Sequence, residues 1–554
     1  MKLSMACIAL MGCLIWFARD PVRAAEQRPA LSNHDAVCAS CHQAIYERYE
    51  KTSMARGSGL AAEDMIPGGF HHAASGVDYK VFARDGEDWM SYSREATTPE
   101  GALNGERRLE YFIGSGHRGR TFLYQTDGQW FELPINFYTR RQVWDMAPAF
   151  DNVTSMPAPL PVDPNCLHCH ATGVQTALPT ARNRYAHGPF AQGGVGCSAC
   201  HGDPSAHLAQ HGLGAIVNPA KLSPSRRDSA CIQCHLEGDA VVYRPGKSLA
   251  QFQAGDELAD YAVYFVRAQQ AGEGRRATSQ YEALLRSACK RATGDQLTCT
   301  TCHDPHGDPA PSERVAYFRA KCLTCHTGAA MATHHVEQQD CAVCHMPSRS
   351  TTDISHEQVT DHDIEAVPAK AKSSARSGEL VPVGGFAADD RTLGIAYAQM
   401  AQRGDQAAGR TALTLLTRAA LAGAHDPELL VRLGFLQQVS GDVVAARASY
   451  TAVLESDPYE PAALANLAVM DAGAGRTSEA VRLLERLTDN DPSQTAAGLN
   501  LMFIDCKLGR SKEALDLSQR LLNENPDNQP LRTYLRTGDY AGERCALRTP
   551  GPGH

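Results

Sequence analysis

Between Val77 and Ile135, apolar and polar side chains alternate along the chain, as they do in strands that bury one face. The runs VDYKVFAR and DWMSYSRE flank Asp85-Gly86, and RTFLYQT and QWFELPI flank Asp127-Gly128, so two β-hairpins closed by tight turns are predicted. Elsewhere the period is helical. Ile45, Tyr46 and Tyr49 share a face in VCASCHQAIYERYEK, and Val315, Phe318 and Cys322 do so in ERVAYFRAKCLTCH. Residues 256–270, with Leu258, Tyr261, Phe265 and Ala268 turned inward, predict a longer helix.

Past residue 390 the composition turns rich in Ala and Leu, and the chain repeats. Asp457-Pro458, Asp491-Pro492 and Asn525-Pro526 recur every 34 residues, the tetratricopeptide period. Leu433, Gly434, Ala446 and Tyr450 align with Leu467, Ala468, Ala480 and Leu484, a third unit offers Leu501 and Ala514, and residues 392–425 read as a degenerate fourth. One helix pair cannot bury its apolar face alone, so the units are expected to stack into an all-α superhelix. The concave face of such a stack commonly binds a peptide or protein, and the plain alternative is a structural cap.

A chain of 554 residues exceeds what a single core serves. The divisions expected are a signal peptide (1–24), a first motif with a β-hairpin insertion (25–164), a six-motif domain (165–365), a linker (366–390), the repeats (391–537) and a tail (538–554). A formal charge of -9 argues against nucleic acid as a partner. Lys2, the apolar run at 3–18 and Val22-Arg23-Ala24 have the layout of an export signal, which makes a periplasmic location the expectation. Membrane association is expected only through an uncleaved signal or a lipid anchor at Cys13.

The chemistry lies in a pentapeptide. Cys-x-x-Cys-His occurs seven times, and the motifs are numbered here in chain order: Cys38-Cys41-His42, Cys166-Cys169-His170, Cys197-Cys200-His201, Cys231-Cys234-His235, Cys299-Cys302-His303, Cys322-Cys325-His326 and Cys341-Cys344-His345. This is the attachment signature of c-type haem: two thiols one turn apart form thioethers to one porphyrin, and the adjacent imidazole reaches its iron. Zinc knuckles or CxxC disulfides do not call for a histidine after every second cysteine. Seven covalently bound haems are therefore expected, with the seven motif histidines as iron ligands. Motifs two to seven occupy about 180 residues, so porphyrins must supply much of the buried apolar surface, and short helices are expected to carry most of the motifs.

A second axial ligand for each iron has several candidates: Met54, His71 or His72, His117, His207, His306, His334 or His335, His356 and His362. The loop IGSGHRGR carries His117, Arg118 and Arg120. It could present a ligand, orient propionates, or bind an anionic substrate. Of the 19 cysteines, 14 lie in motifs and Cys7 and Cys13 lie in the signal. The remaining Cys289, Cys506 and Cys545 are odd in number, which argues against a disulfide framework, and buried free thiols are expected at Cys289 and Cys506.

CSACHGDPSAH, CTTCHDPHG and the ending CAVCHMP resemble the superfamily of multihaem cytochromes that includes pentahaem nitrite reductase, hydroxylamine oxidoreductase and their tetrahaem relatives. The order of TSMAR, IGSGHRG, the motif cluster, TDHDI and the repeats is similar to that of exported multihaem cytochromes with a tetratricopeptide region. The resemblance implies a mostly helical, loop-rich cytochrome with close-packed haems and bis-histidine ligation. It also implies that His207 and His306, with Met54 behind them, are distal ligands. The chain has no CxxCK and seven rather than eight motifs, so neither enzyme's activity is carried over.

Two functions follow. One is electron transfer along stacked haems, with redox partner proteins docked partly through the repeats. The other is a multihaem oxidoreductase with one open iron, where Arg118, Arg120, Arg140 and Arg141 would hold a nitrogen or sulfur oxyanion, or hydroxylamine would bind, and His117, Tyr124 or Tyr138 would supply protons. The exported protein is expected to exceed its polypeptide mass by seven haem groups and to give a pyridine haemochrome. Intact mass spectrometry checks this, and a mass equal to the bare polypeptide contradicts it.

Overall fold

A computed structural model describes residues 31–96, 101–150, 152–178, 180–268, 279–327, 339–348, 359–364, 379–540 and 542–545. The expected signal peptide, His334, His335 and His356 lie outside these residues. Both hairpins form, with Asp85-Gly86 and Asp127-Gly128 at positive φ as tight turns between twisted strands require. They belong to something larger than the small insertion expected.

Strands β1 (Ser58–Leu60), β2 (Gly68–His72), β3 (Val77–Arg84), β4 (Glu87–Arg94), β5 (Leu103–Ile113), β6 (Gly119–Thr126), β7 (Gln129–Glu132), β8 (Ile135–Tyr138), β9 (Val143–Met146) and β10 (Leu160–Pro161) join in one ten-stranded antiparallel sheet. Its main path runs β10-β7-β6-β5-β4-β3-β2, with β1 on β5 and the β8–β9 pair on β6. Val77, Tyr79 and Val81 from one strand meet Met90, Tyr92, Phe122 and Phe131 from others in a buried core. The alternation that suggested two hairpins runs through the central strands of this sheet. Short strands such as β8 (INFY), buried at every position, show no alternation to read.

The motifs ride on short helices, as expected: α1 (Ala36–Tyr49), α2 (Pro164–His170), α3 (Ser198–His201), α5 (Pro224–His235), α8 (Cys299–Cys302), α9 (Arg314–Leu323) and α10 (Cys341–His345), with α4 (Ser205–Ala209), α6 (Gln280–Arg286) and α7 (Ala288–Thr293) between them. The helix expected over 256–270 is not there. Leu258–Asp260 is a single 3-10 turn, and Ala262–Arg267 is strand β14, which pairs antiparallel with β13 (Ala240–Tyr243) and β15 (Leu380–Pro382). The run Ala-Val-Tyr-Phe-Val is β-branched and aromatic, and a strand buried on both faces shows no period of two, so its spacing imitated a helix. Leu380–Pro382, expected in a linker, supplies the third strand.

The C-terminal region is an all-α tetratricopeptide superhelix, built from helix pairs that start at α11 (Asp390–Gln402) and α12 (Gln406–Leu421) and end at α17 (Thr495–Lys507), α18 (Ser511–Glu524) and α19 (Gln529–Thr537). Ala446, Tyr450, Ala480, Leu484 and Ala514 are buried at the repeat-related places the spacing predicts. The superhelix does not hang from a free linker, because one core runs from Ile232, Val242 and Val263 into Ile395, Leu416 and Leu467. Gln399 Nε2 donates to Val241 O at 2.7 Å and Arg391 Nη1 to Tyr243 O at 2.9 Å.

The far end of the repeats is fastened to the large sheet. Arg94 of β4 forms a two-pronged ion pair with Asp527, at 2.7 and 2.5 Å, and both side chains are fully buried. Asp527 also accepts from Met156 N at 2.8 Å. Arg107 donates to Asn523 O at 3.1 Å, and Arg182 N to Asn490 O at 2.9 Å. The free thiol expected at Cys506 is instead in a disulfide with Cys545, 39 residues on, which closes the last repeat onto the tail hairpin Asp539–Tyr540/Glu543–Arg544. The odd cysteine count concealed a single pair, and Cys289 remains a free, half-buried thiol.

Removing one partner of a buried ion pair leaves an uncompensated charge, so Arg94→Ala is expected to cost about 3–5 kcal/mol in denaturant unfolding. Glu524 nearby behaves oppositely. Burial first, then the Asp127 and Asp491 carboxylates, push its carboxyl up to about 7. The folded state therefore holds a proton there that the unfolded chain releases above about pH 4.5, and stability falls as pH rises from 4.5 to 7. Glu524→Gln is expected to stabilise by about 1–3 kcal/mol at pH 8 and by little at pH 4. Equal effects at both pH values contradict this.

Candidate functional site

The motif helices are too short to be stable alone, and polar side chains from distant segments cap and hold them. Asp35, preceding α1, accepts from Cys197 N at 3.0 Å and from Gln192 Nε2 at 2.7 Å, which brings the first motif against the third. Asp228 on α5 accepts from Cys299 N at 3.1 Å and joins the fourth motif to the fifth. His168, inside the second motif, bonds through Nε2 to Gln233 Oε1, inside the fourth, at 2.9 Å. None of these four side chains stood out in the sequence, because each acts across a long separation that leaves no local spacing.

The histidines show the clearest geometry. His42 and His207 have ring centroids 6.5 Å apart with planes inclined by 16°. His201 and His306 are 6.0 Å apart at 8°, and His303 and His362 are 6.2 Å apart at 27°. Two imidazoles bound through nitrogen to opposite sides of one metal, with bonds of about 2.0–2.1 Å, place their centroids ~6.3 Å apart. The spacing is too wide for ring contact and fits an iron between each pair. Burial holds the imidazoles of His303, His306 and His362 below the usual histidine value, which favours the neutral, lone-pair-bearing form that binds metal.

His207 follows the third motif but faces the histidine of the first, and His306 follows the fifth but faces that of the third. His207 Nδ1 lies 3.1 Å from Gly214 O and His201 Nδ1 2.8 Å from Val217 O, contacts that orient each ring by its other nitrogen. His362 Nδ1 lies 2.8 Å from Thr360 O. Met54 is on the exposed loop after α1, where its carbonyl accepts from Val195 N, and His207 rather than Met54 faces His42. His71 and His72 stand on β2, with Nδ1 atoms 2.9 Å from Asp78 Oδ1 and 2.8 Å from Ser75 Oγ.

The cationic residues do not gather into an anion pocket. Arg120 is buried, pairs with Asp64 at 2.5 Å, donates to Gly114 O at 3.1 Å and lies 4.2 Å over the Phe112 ring. Gly114 and Gly116, both at positive φ, let the loop fold close to this guanidinium. Arg118 is half-buried, and desolvation lowers its guanidinium below the ordinary value. His117 and Arg140 are exposed, and Arg141 pairs with Asp145 at 3.1 Å. Tyr138 donates its hydroxyl to Met146 O at 2.6 Å. Tyr124 is buried with Arg107 5.7 Å over its ring, and burial pushes its hydroxyl up to about 12. Arg120, Tyr124 and Tyr138, weighed from the sequence as catalytic groups, are engaged in holding the sheet and its loop.

Residues 145–202 match the family described as cytochrome c554 and c-prime, residues 291–331 the doubled CXXCH motif, and residues 440–502 and 471–538 the tetratricopeptide repeat. These matches identify a multihaem c-type cytochrome joined to a tetratricopeptide region. No curated protein matches the chain. Among solved structures it is similar to MamA AMB-1, at 21% identity and a TM-score of 0.24, covering 27% of this chain and 81% of that one. A tetratricopeptide repeat protein from Parabacteroides merdae ATCC 43184 is similar at 19% identity and a TM-score of 0.22, covering 26% and 62%.

Arg120→Gln is expected to lower thermal stability by about 1–3 kcal/mol through the lost buried ion pair and ring contact, with haem content unchanged. Thermal unfolding with a pyridine haemochrome assay checks this, and unaltered stability contradicts it.

Proposed function

We propose that the chain is an exported, periplasmic electron carrier with seven covalently attached haems, one at each CxxCH motif, and a repeat region that docks a redox partner. The observation that carries this reading is the set of three facing histidine pairs at 6.0–6.5 Å. His207 is assigned to the iron of His42, His306 to that of His201, and His362 to that of His303. Filled axial positions leave no place for substrate and suit one-electron exchange, which is the chemistry bound haem supplies. The protein's part is to orient each imidazole by its second nitrogen, exclude water by burial, and hold neighbouring motifs in contact.

Export is supported by the disulfide, since such bonds persist mainly in oxidising compartments. No helix among the described residues is long and apolar enough to cross a membrane. For partner docking the repeats offer Phe435 and Val469, exposed at equivalent places one repeat of 34 residues apart. The inter-repeat turns at Asp457, Asn490 and Asp527 are already taken by the chain's own cytochrome part. An oxyanion reductase is not favoured, because the groups it would need are separately engaged.

His306→Ala is expected to keep all seven haems and convert one from low-spin to high-spin, read by electron paramagnetic resonance with the haemochrome assay. An unchanged spectrum at full haem content removes the assignment.

A further inference from the structure

The contacts between motifs do not follow chain order. The Cys38 and Cys197 thiols lie within 4.8 Å of each other and of an Asp35 oxygen, so motif one abuts motif three. Motif three abuts motif five through His201 and His306, and motif four through the neighbouring thiols of Cys200 and Cys231. Motif four touches motif five, where Asp228 accepts from Cys299 N and the Cys231 and Cys299 thiols meet. Motif four also touches motif two, through the His168–Gln233 bond and the Cys169 and Cys234 thiols. Cys302 and Cys325 connect motif five to six, and Cys322 and Cys341 connect six to seven.

Exposure agrees with these contacts. Cys41, Cys166, Cys325 and Cys344 are exposed, one each in motifs one, two, six and seven, whereas no cysteine of motifs three, four or five is.

We infer that the seven motifs form a three-way junction, with motifs three, four and five mutually in contact at its centre. Its arms end at motif one, at motif two and, through motif six, at motif seven. This rests on the reading of the chain as a heptahaem carrier. Motifs one and two, consecutive in sequence, sit on different arms and communicate only by way of the centre. The protein therefore has three surfaces for exchange with external one-electron carrier proteins instead of the two ends of a single file. Passage from one arm to another moves an electron alone: one carrier protein is oxidised, another is reduced, and no bond forms or breaks.

The arms differ in what surrounds them. Motif two ends against the large sheet, where Ser58 Oγ donates to His170 O at 2.7 Å, and α1 of motif one reaches the fifth motif's segment through Arg48 and Asp304 at 3.0 Å. A partner reaching motif two would thus contact sheet residues, and one reaching motif seven would contact only the motif domain.

The test is anomalous diffraction at the iron edge from crystals of the natural holoprotein. Seven iron peaks are expected, with the nearest iron to that of His42 being that of His201, the nearest to His170 that of His235, and the nearest to His345 that of His326. Seven irons in which those of His42 and His170 are nearest neighbours would overturn the junction and leave the carrier reading standing. Fewer than seven irons would instead remove the heptahaem reading beneath it.

Discussion

A gap one metal ion wide between two imidazoles is the constraint on which the cytochrome part turns. It occurs three times, and in the first two cases the facing histidines belong to segments that serve different motifs, His42 with His207 and His201 with His306. Each proposed iron would then tie together pieces of chain that have little else in common. Helices as short as Cys299–Cys302 cannot hold their own shape in water, and the polypeptide around them is too thin to form a core, so folding and haem attachment would be one event.

The remainder of the molecule supplies the rigidity these short helices lack. The ten-stranded sheet has an aromatic-rich core of its own, and the repeats are fused at one end to the three-stranded sheet and pinned at the other by Arg94 and Asp527. A superhelix held at both ends is a brace as well as a docking platform. The Asp-Pro turns spaced by 34 residues, whose period made the repeats recognisable, are among the points that grip the cytochrome part.

What could be read from sequence was whatever leaves a local period. The CxxCH spacing, the 34-residue repeat and the Asp-Gly turns each specify their chemistry within a few residues. The sheet's extent was hidden because strands such as Ile135–Tyr138 are buried throughout, and strand Ala262–Arg267 passed for a helix for the same reason. His207 and His306 could be named as candidates, but their partners could not, since pairing is a property of the assembled fold. Cys506 and Cys545 were hidden by counting, and Asp35, Asp228, His168 and Gln233 by distance along the chain. The cationic loop misled in another way: Arg120 has the composition of an anion site but serves as a buried brace to Asp64 and Phe112.

Electron paramagnetic resonance of the oxidised holoprotein, recorded before and after adding nitrite, hydroxylamine or sulfite, bears most directly on a carrier whose irons all have both axial positions filled. Only low-spin ferric signals, unmoved by any of the three, are predicted. A high-spin signal of one iron per chain that shifts on addition would contradict it.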